Sequence, residues 1–467
     1  MKKPGVITRR QFVSAAGIVT AGVASGAVSL KAGSYRRVQG ANDKLNVGFI
    51  GVGNRGSQLL GLFMRNQDVN IAGLCDLYEP YLLRDRSIVD PRYIKDIPGQ
   101  VPKMGESFSA KPERYSDFRK LLDNKNIDAV VIATPDHWHA IQMINAVDAG
   151  KDVYVEKPLT ITIREGRMMV DAQKRTGKVV AVGLNRRGNS FYQKLAKEIP
   201  AGKIGKVTVG KAFRINNMYP NGIGKMKPEE PPKNFNWDMW LGPRASRPYQ
   251  YNISPYRFRW WGDYSSQMGN WGVHYMDVIR WMMGERAPVA ITATGGKFAV
   301  DDDRTIPDTM DVVFEFGSGA LITFSIYEAS GGDLFTAGEV ELRGTKGTLN
   351  ADENGYKITP VRAGQFQDWK QAGTAEEQSS KTQMLPDGSS GDSTANVVRN
   401  FIDCVKSRNT PFCPLEEGHR STSFAHLANI ALATGQRLLW DADKEQFINS
   451  EKANQMLHYE YRKPWKI

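Results

Sequence analysis

The chain has 467 residues, of which 41% are hydrophobic and 24% charged, with a formal net charge of +12 and three cysteines. That length and apolar content call for more than one folded core, while three cysteines are too few for a disulfide framework. Positive residues are scattered among acids and not striped along one helix, so no nucleic-acid partner is expected.

Thr8-Arg9-Arg10-Gln11-Phe12 leads into a stretch without charge from Gln11 to Leu30, which resembles a twin-arginine export signal. Three glycines and three serines between Val13 and Leu30 keep it only mildly apolar, which disfavours a stable membrane anchor. Residues 1–33 are therefore read as a signal peptide, cleaved between Ala24 and Gly33, with 34–43 as a linker. Passage through the twin-arginine translocation machinery would place the folded protein in the periplasm. Loss of Lys2, Lys3, Arg9, Arg10 and Lys31 with the signal lowers the net charge from +12 to +7.

From residue 44 to 187, β-branched runs alternate with helical stretches: Val47 to Ile50, Val69 to Cys75, Ala129 to Ala133, Val153 to Val155 and Val179 to Leu184. Continuous apolar strands separated by helices predict an α/β Rossmann domain with a parallel sheet covered on both faces. Its first turn is Gly51-Val52-Gly53-Asn54-Arg55-Gly56, and Asp76 ends the next apolar run. Gly51 permits the tight turn, Gly53 admits the pyrophosphate and Gly56 lets helix and strand pack, while Asp76 would hold the adenosine ribose hydroxyls. Asp76 favours NAD over NADP, although Arg55 is available to a phosphate. Cys75 reads as a core residue, and Cys404 and Cys413 could pair only in an oxidising compartment.

Residues 188–394 predict a substrate-binding α+β domain with a large, mostly antiparallel sheet. Its strands are expected at Val207 to Asn216, Val289 to Phe298, Met310 to Phe316, Ala320 to Tyr327 and Glu339 to Leu342, with a hairpin at Phe316-Gly317-Ser318-Gly319-Ala320. Gln365 to Ser393 reads as a mobile loop. A C-terminal helical segment, 395–467, has helices at Ala395 to Lys406 and Glu417 to Leu439 and is expected to pack back on the domains. Trp237, Trp240, Trp260, Trp261 and Trp271 cluster with Tyr249, Tyr251, Tyr256, Phe258 and Tyr264. Such rings stack on the C–H faces of sugars, and they equally suit a hydrophobic plug or a subunit interface.

His137 and His139 invite a metal reading, but zinc needs further ligands and no cluster of suitable spacing is visible, so no metal is expected. His419 and His426 share one helix face and read as packing or capping residues.

The glycine turn, Thr134-Pro135-Asp136-His137-Trp138-His139, Ala149-Gly150-Lys151 and Glu156-Lys157-Pro158 together resemble the Gfo/Idh/MocA oxidoreductase family over nearly the whole chain after residue 43. The resemblance implies that Lys157 binds the reacting oxygen beside the nicotinamide and that Glu156 orients it. It implies that His274, in Gly269-Asn270-Trp271-Gly272-Val273-His274, is the acid/base. It places Thr134, Pro135, His139 and Asn185 near the cofactor and Arg187 and Asp277 near the substrate, while Trp261, Tyr264 and Trp271 are the substrate candidates from the aromatic cluster. Many relatives carry Asp four residues before this His; Asn270 stands there and brings no charge, so Asp277 is the alternative partner. The family also implies dimers or tetramers through the exposed face of the second sheet. The expected activity is NAD-dependent oxidation or reduction of a sugar, cyclitol or glycoside, with the cofactor tightly held. The alternatives are a redox-assisted glycosidase, whose family examples depart at Glu-Lys-Pro, and a non-catalytic sugar-binding protein.

Overall fold

The computed structural model describes residues 44–332, 339–364, 366, 373–379 and 391–467. The export signal and linker expected before residue 44 lie outside the described residues, as does most of the expected loop at 365–393.

Six strands, β1 (Leu45–Ile50), β2 (Val69–Cys75), β3 (Glu113–Tyr115), β4 (Ala129–Ile132), β5 (Asp152–Val155) and β6 (Val180–Val182), form one sheet in the order β3-β2-β1-β4-β5-β6. Every pairing is parallel. The strand order reverses between β1 and β4, so the crevice beyond their carboxyl ends is where such a sheet takes a ligand. Strands β4, β5 and β6 are buried throughout, which their apolar runs require. β3, with two of its three residues exposed, lacks that signal and escapes a reading by hydrophobicity.

Helices α1 (Asn54–Met64), α2 (His139–Asp148), α3 (Ile163–Thr176) and α4 (Ser190–Glu198) belong to the same half of the chain. α3 starts in a capping box, with Thr162 and Glu165 bonding each other's backbone, and ends at Gly177 in the left-handed region.

The second sheet contains β7 (Val207–Ile215), β8 (Ala290–Gly296), β9 (Thr309–Glu315), β10 (Leu321–Tyr327), β11 (Val340–Gly344), β12 (Gly347–Asp352), β13 (Gly355–Pro360), β14 (Glu376–Ser379), β15 (Leu438–Asp441) and β16 (Gln446–Phe447). Their order is β14-β13-β12-β11-β7-β10-β9-β8-β15-β16, and only β7 and β10 pair in parallel. The hairpin at Phe316 forms as its glycines suggest: Phe316 N–H bonds Ala320 O at 3.0 Å, and Gly319 takes φ +84°.

One face of this sheet is packed by α5 (Val273–Met283) and α7 (Leu415–Thr434). Phe424 on α7 meets Phe314 and Phe316, Tyr275 on α5 meets Phe324, and a Cβ on Gly210 would lie 2.6 Å from Ile279. α6 (Ser393–Ser407) returns to the first domain, where Phe401 packs against Phe63 and Tyr154 and Arg399 pairs with Asp68 at 2.8 Å.

Two sequence expectations need correction. The helix expected to run to Leu439 stops at Thr434, because Gly435 adopts φ +65° and caps it, and the apolar residues beyond form β15. Residues 376–379, read as loop, are edge strand β14, whose polar side chains concealed it. Cys75, Cys404 and Cys413 are free and buried.

Candidate active site

The glycine turn joins β1 to α1. Gly51 has φ +86°, and a Cβ there would lie 2.8 Å from Ala133 O; one on Gly56 would lie 2.0 Å from Gly51 O. Those two positions admit only glycine, which brings α1 close to β1 and β4. Gly53 differs, for its nearest neighbour would be the Tyr81 ring at 3.6 Å. Its open side faces a cavity of about 300 Å³. α1 has no acidic residue in its first turn, so its N-terminus presents unopposed positive partial charge to that space.

The cavity wall continues along the carboxyl ends of β2, β4 and β5. Gly51, Gly53, Asn54, Arg55, Asp76, Thr134, Pro135, Asp136, Glu156 and Lys157 line it. Asp76 accepts N–H bonds from Val52 at 2.8 Å and Tyr78 at 3.0 Å, one on each oxygen. This aims the carboxylate and leaves lone pairs for ribose hydroxyls. The Tyr81 hydroxyl, in the same wall, is buried and has no hydrogen-bond partner among the described residues. Phe235 reaches over from the segment after β7, with Glu79 N–H bonding Asn234 O and Asn236 N–H bonding Leu77 O. Glycine cradle, aimed carboxylate and orphaned hydroxyl together fit an adenine dinucleotide.

At the other end lies Lys157. Its Nζ donates to Asn270 O at 2.7 Å and approaches Asn270 Oδ1 at 3.4 Å. Burial lowers its pKa to about 8; Arg259 and Arg55 add to the lowering, against Glu156 and Asp136. Glu156 accepts the Lys157 N–H at 3.1 Å and Arg55 Nε at 2.8 Å. Arg55 is thus committed to Glu156 on the Lys157 side of the cavity, which corrects its expected availability to a phosphate beside Asp76.

Asn270 lies in a π-helical turn, Met268–Gly272, that runs directly into α5 and so sets the approach of His274. Burial, then the charges of Lys157, Arg186 and Arg55, pull the His274 pKa well below that of a free imidazole. Its Nδ1 is buried without a partner. Asn270 and Trp271 line the cavity, and His274 does not. Arg214 stacks on the Trp271 ring at 3.7 Å.

Several expected site residues sit elsewhere. Arg187 and Asp277 bond each other through three contacts of 2.8 to 3.1 Å, and neither lines the cavity. Ser421 donates to Asp277 at 2.6 Å and Glu417 joins Arg187 at 3.3 Å, so this is a buried ion-pair cluster joining the first domain to α5 and α7. Burial would raise the Asp277 pKa, but Arg187 outweighs it and holds the pKa below the usual carboxylate range. Asp277 therefore gives His274 no partner.

His139 is also a framework residue: its ring nitrogens face Pro158 O and Thr134 O, both at 2.9 Å, tying the β4 and β5 loops together. His137 Nε2 and Trp138 Nε1 converge on Trp240 O at 2.9 Å, and burial lowers the His137 pKa to about 3. Trp261 Nε1 bonds Asn252 O and Tyr264 packs edge-on against Trp240; both are buried away from the cavity. Asn185 lies outside the lining, with Nδ2 on Glu353 at 3.3 Å and Oδ1 buried without a partner. His419 bonds Glu445 at 2.7 Å and His426 faces Thr160 at 3.3 Å, both remote from the lining. Of the aromatic group, Trp240, Tyr256, Phe258 and Trp271 reach the cavity, while the others fill the core beneath.

Two charged lining residues escaped the sequence reading. Asp136, whose Oδ2 accepts from Ser265, has its pKa raised by burial. Arg259 stands among the aromatic residues that drew attention in its place. A charged residue inside an aromatic run was the available signal for Arg259.

The chain matches the oxidoreductase family's NAD-binding Rossmann fold over residues 45–184 and its C-terminal alpha/beta domain over 249–438. Among curated proteins it is 30% identical over 229 residues to an alpha-N-acetylgalactosaminidase of Shewanella oneidensis. It is 29% identical over 229 residues to a glycosyl hydrolase family 109 protein of Shewanella sp. (strain MR-4). Each match covers 45% of this chain, and the chain spans about half the length of these relatives, 47%. Among solved structures, an NAD binding oxidoreductase from Klebsiella pneumoniae superposes with TM-score 0.60 at 17% identity, over 85% of this chain and 99% of that one. A levoglucosan dehydrogenase in complex with NADH and levoglucosan gives 0.59 at 18% identity, over 85% and 99%. With both halves matched and the glycine turn built to hold NAD, the chain belongs to the Gfo/Idh/MocA family of oxidoreductases.

Proposed function

We propose that this protein is an exported, NAD-dependent oxidoreductase that interconverts a secondary alcohol and a ketone on a sugar, cyclitol or glycoside. The observation that carries this reading is Lys157, whose Nζ lies 2.7 Å from Asn270 O where the dinucleotide cavity meets the turn leading to His274. NAD, when bound, supplies the nicotinamide carbon that accepts or returns hydride. Lys157 exchanges its bond to Asn270 O for one to the reacting oxygen and stabilises the charge that develops there. His274, held neutral by burial and three cations, is in the state that accepts the hydroxyl proton. Trp271 and Tyr256 give the sugar two ring faces.

The roof formed by Phe235 supports a tightly held cofactor, loaded before export through the twin-arginine machinery and recycled in the periplasm. Assembly into dimers or tetramers through the second sheet belongs to the same reading. A second reading, NAD-dependent glycoside hydrolysis, draws on the names of the curated relatives.

The test is to denature the purified protein, identify any released nicotinamide, then offer NAD with free sugars and methyl glycosides. Net NADH with a ketosugar is the expected result. Release of the aglycone without net NADH would establish the second reading, and absence of any bound or binding nucleotide would overturn both.

A further inference from the structure

The substrate end of the cavity has a cation that no carboxylate pairs with among the described residues. Arg259, in the single-turn helix Arg257–Trp260, lines the cavity together with Lys157, Asp136 and Asn270. Its guanidinium carbon lies 4.1 Å from the Tyr256 ring centre and 4.5 Å from that of Phe258, and Nη1 donates to Tyr256 O at 2.9 Å. Ring contacts and backbone bond fix the plane of the guanidinium. Among the described residues Arg259 makes no ion pair. Arg259 is half-buried, whereas the fully buried Arg186 pairs with Glu339, Arg187 with Asp277 and Arg304 with Glu328.

The carboxylates of the same wall are committed elsewhere. Glu156 holds Arg55, Asp76 takes backbone N–H groups, and Asp136 accepts from Ser265, its pKa raised by burial against the pull of Arg259 and Lys157. Asn270 adds no charge. Lys157 and Arg259 therefore face the substrate with an excess of positive charge, close enough that Arg259 helps to depress the Lys157 pKa. A planar guanidinium with free donors matches a carboxylate in shape and charge.

We propose that Arg259 is a specificity residue for an anionic substrate, a sugar acid whose carboxylate lies within a few bonds of the hydroxyl held by Lys157. The inference rests on the oxidoreductase reading above and names its substrate class. It also accounts for the uncharged residue at 270, because the substrate carries the negative charge that balances Lys157 and Arg259.

The test pairs neutral sugars with their uronates, glucose with glucuronate and galactose with galacturonate, and adds glucose 6-phosphate. NADH formation by the full chain is followed for wild type, Arg259→Lys and Arg259→Gln. Wild type is expected to favour the uronate in kcat/KM by roughly 50-fold, the size of a charge-assisted pair. Arg259→Gln should collapse that ratio toward one, and Arg259→Lys should keep part of it. With the uronate, the limb of the kcat profile that reports Lys157 in the substrate complex should move to higher pH than with the neutral sugar.

Equal or better turnover of the neutral sugars by wild type overturns the inference, as does a preference for the phosphate ester. If no compound is turned over, the oxidoreductase reading fails by itself. The anion site is then read from tryptophan fluorescence of the NAD-loaded protein: binding of glucuronate but not glucose, lost in Arg259→Gln, supports it, and equal binding overturns it.

Discussion

The two ends of the cavity are built by different means. At the dinucleotide end the work is done by backbone: glycines that admit no Cβ, an exposed helix N-terminus, and an aspartate aimed by two N–H groups within one β-α-β stretch. At the substrate end it is done by side chains from segments more than a hundred residues apart, with Lys157 on Asn270 and Asp136 on Ser265. A backbone site tolerates change in its surroundings and none in its glycines. A side-chain site is tuned by burial and by every neighbouring charge, as the lowered pKa of Lys157 and of His274 shows.

The sharpest way to break this contrast is Lys157→Met. Activity should fall about 10³-fold or more, as expected when one charge stabiliser of the reacting oxygen is lost, while nicotinamide content after purification stays at the wild-type level. Loss of the cofactor in that variant would mean that the two ends are one unit.

Asp277→Asn comes next, and it acts on stability. Leaving Arg187 buried beside a neutral partner should cost about 3–5 kcal/mol, read from the denaturant midpoint. A loss of activity with an unchanged midpoint would return Asp277 to the site from which the geometry removed it.

Gly51→Ala should then weaken cofactor retention through about 1–3 kcal/mol of backbone strain and overlap with Ala133 O. Nucleotide stoichiometry reads this directly, and full retention would contradict the cradle.

The smallest effect expected is the pH limb of Lys157. Its folded-state pKa of about 8 lies below the unfolded 10.5, so the ammonium form that binds oxygen is lost as pH rises through about 8, and kcat/KM should fall there. Stability has the opposite sign. Between those values the unfolded chain holds the extra proton, so Lys157 costs stability below pH 8 and that cost disappears toward pH 10.5. Lys157→Met should accordingly match or exceed the wild-type thermal midpoint at pH 7, and a lower midpoint would make Lys157 a structural residue.

Legibility followed the same division. Val69–Cys75 was readable to the residue, because a central parallel strand must be apolar on both faces. Glu113–Tyr115 and Glu376–Ser379 were not, since an edge strand bordered by solvent can be polar. Lys157 and Asn270 are legible through the resemblance to a family motif, whereas the pairing of Arg187 with Asp277 has no local signal at all. Proximity in sequence to site motifs suggested substrate contact for both, and the fold turned them toward each other.

The sequence by itself determined the order of elements, the glycine turn and its acid, because period, β-branching and the need for positive φ are local requirements. Which charges face one another was decided only in three dimensions. Arg187 and Arg259 are equally arginine in the sequence, yet one is paired with a buried carboxylate and the other lies against the Tyr256 and Phe258 rings of the cavity wall, in no ion pair among the described residues. Coulomb energy depends on distance and burial, and packing between remote segments sets both.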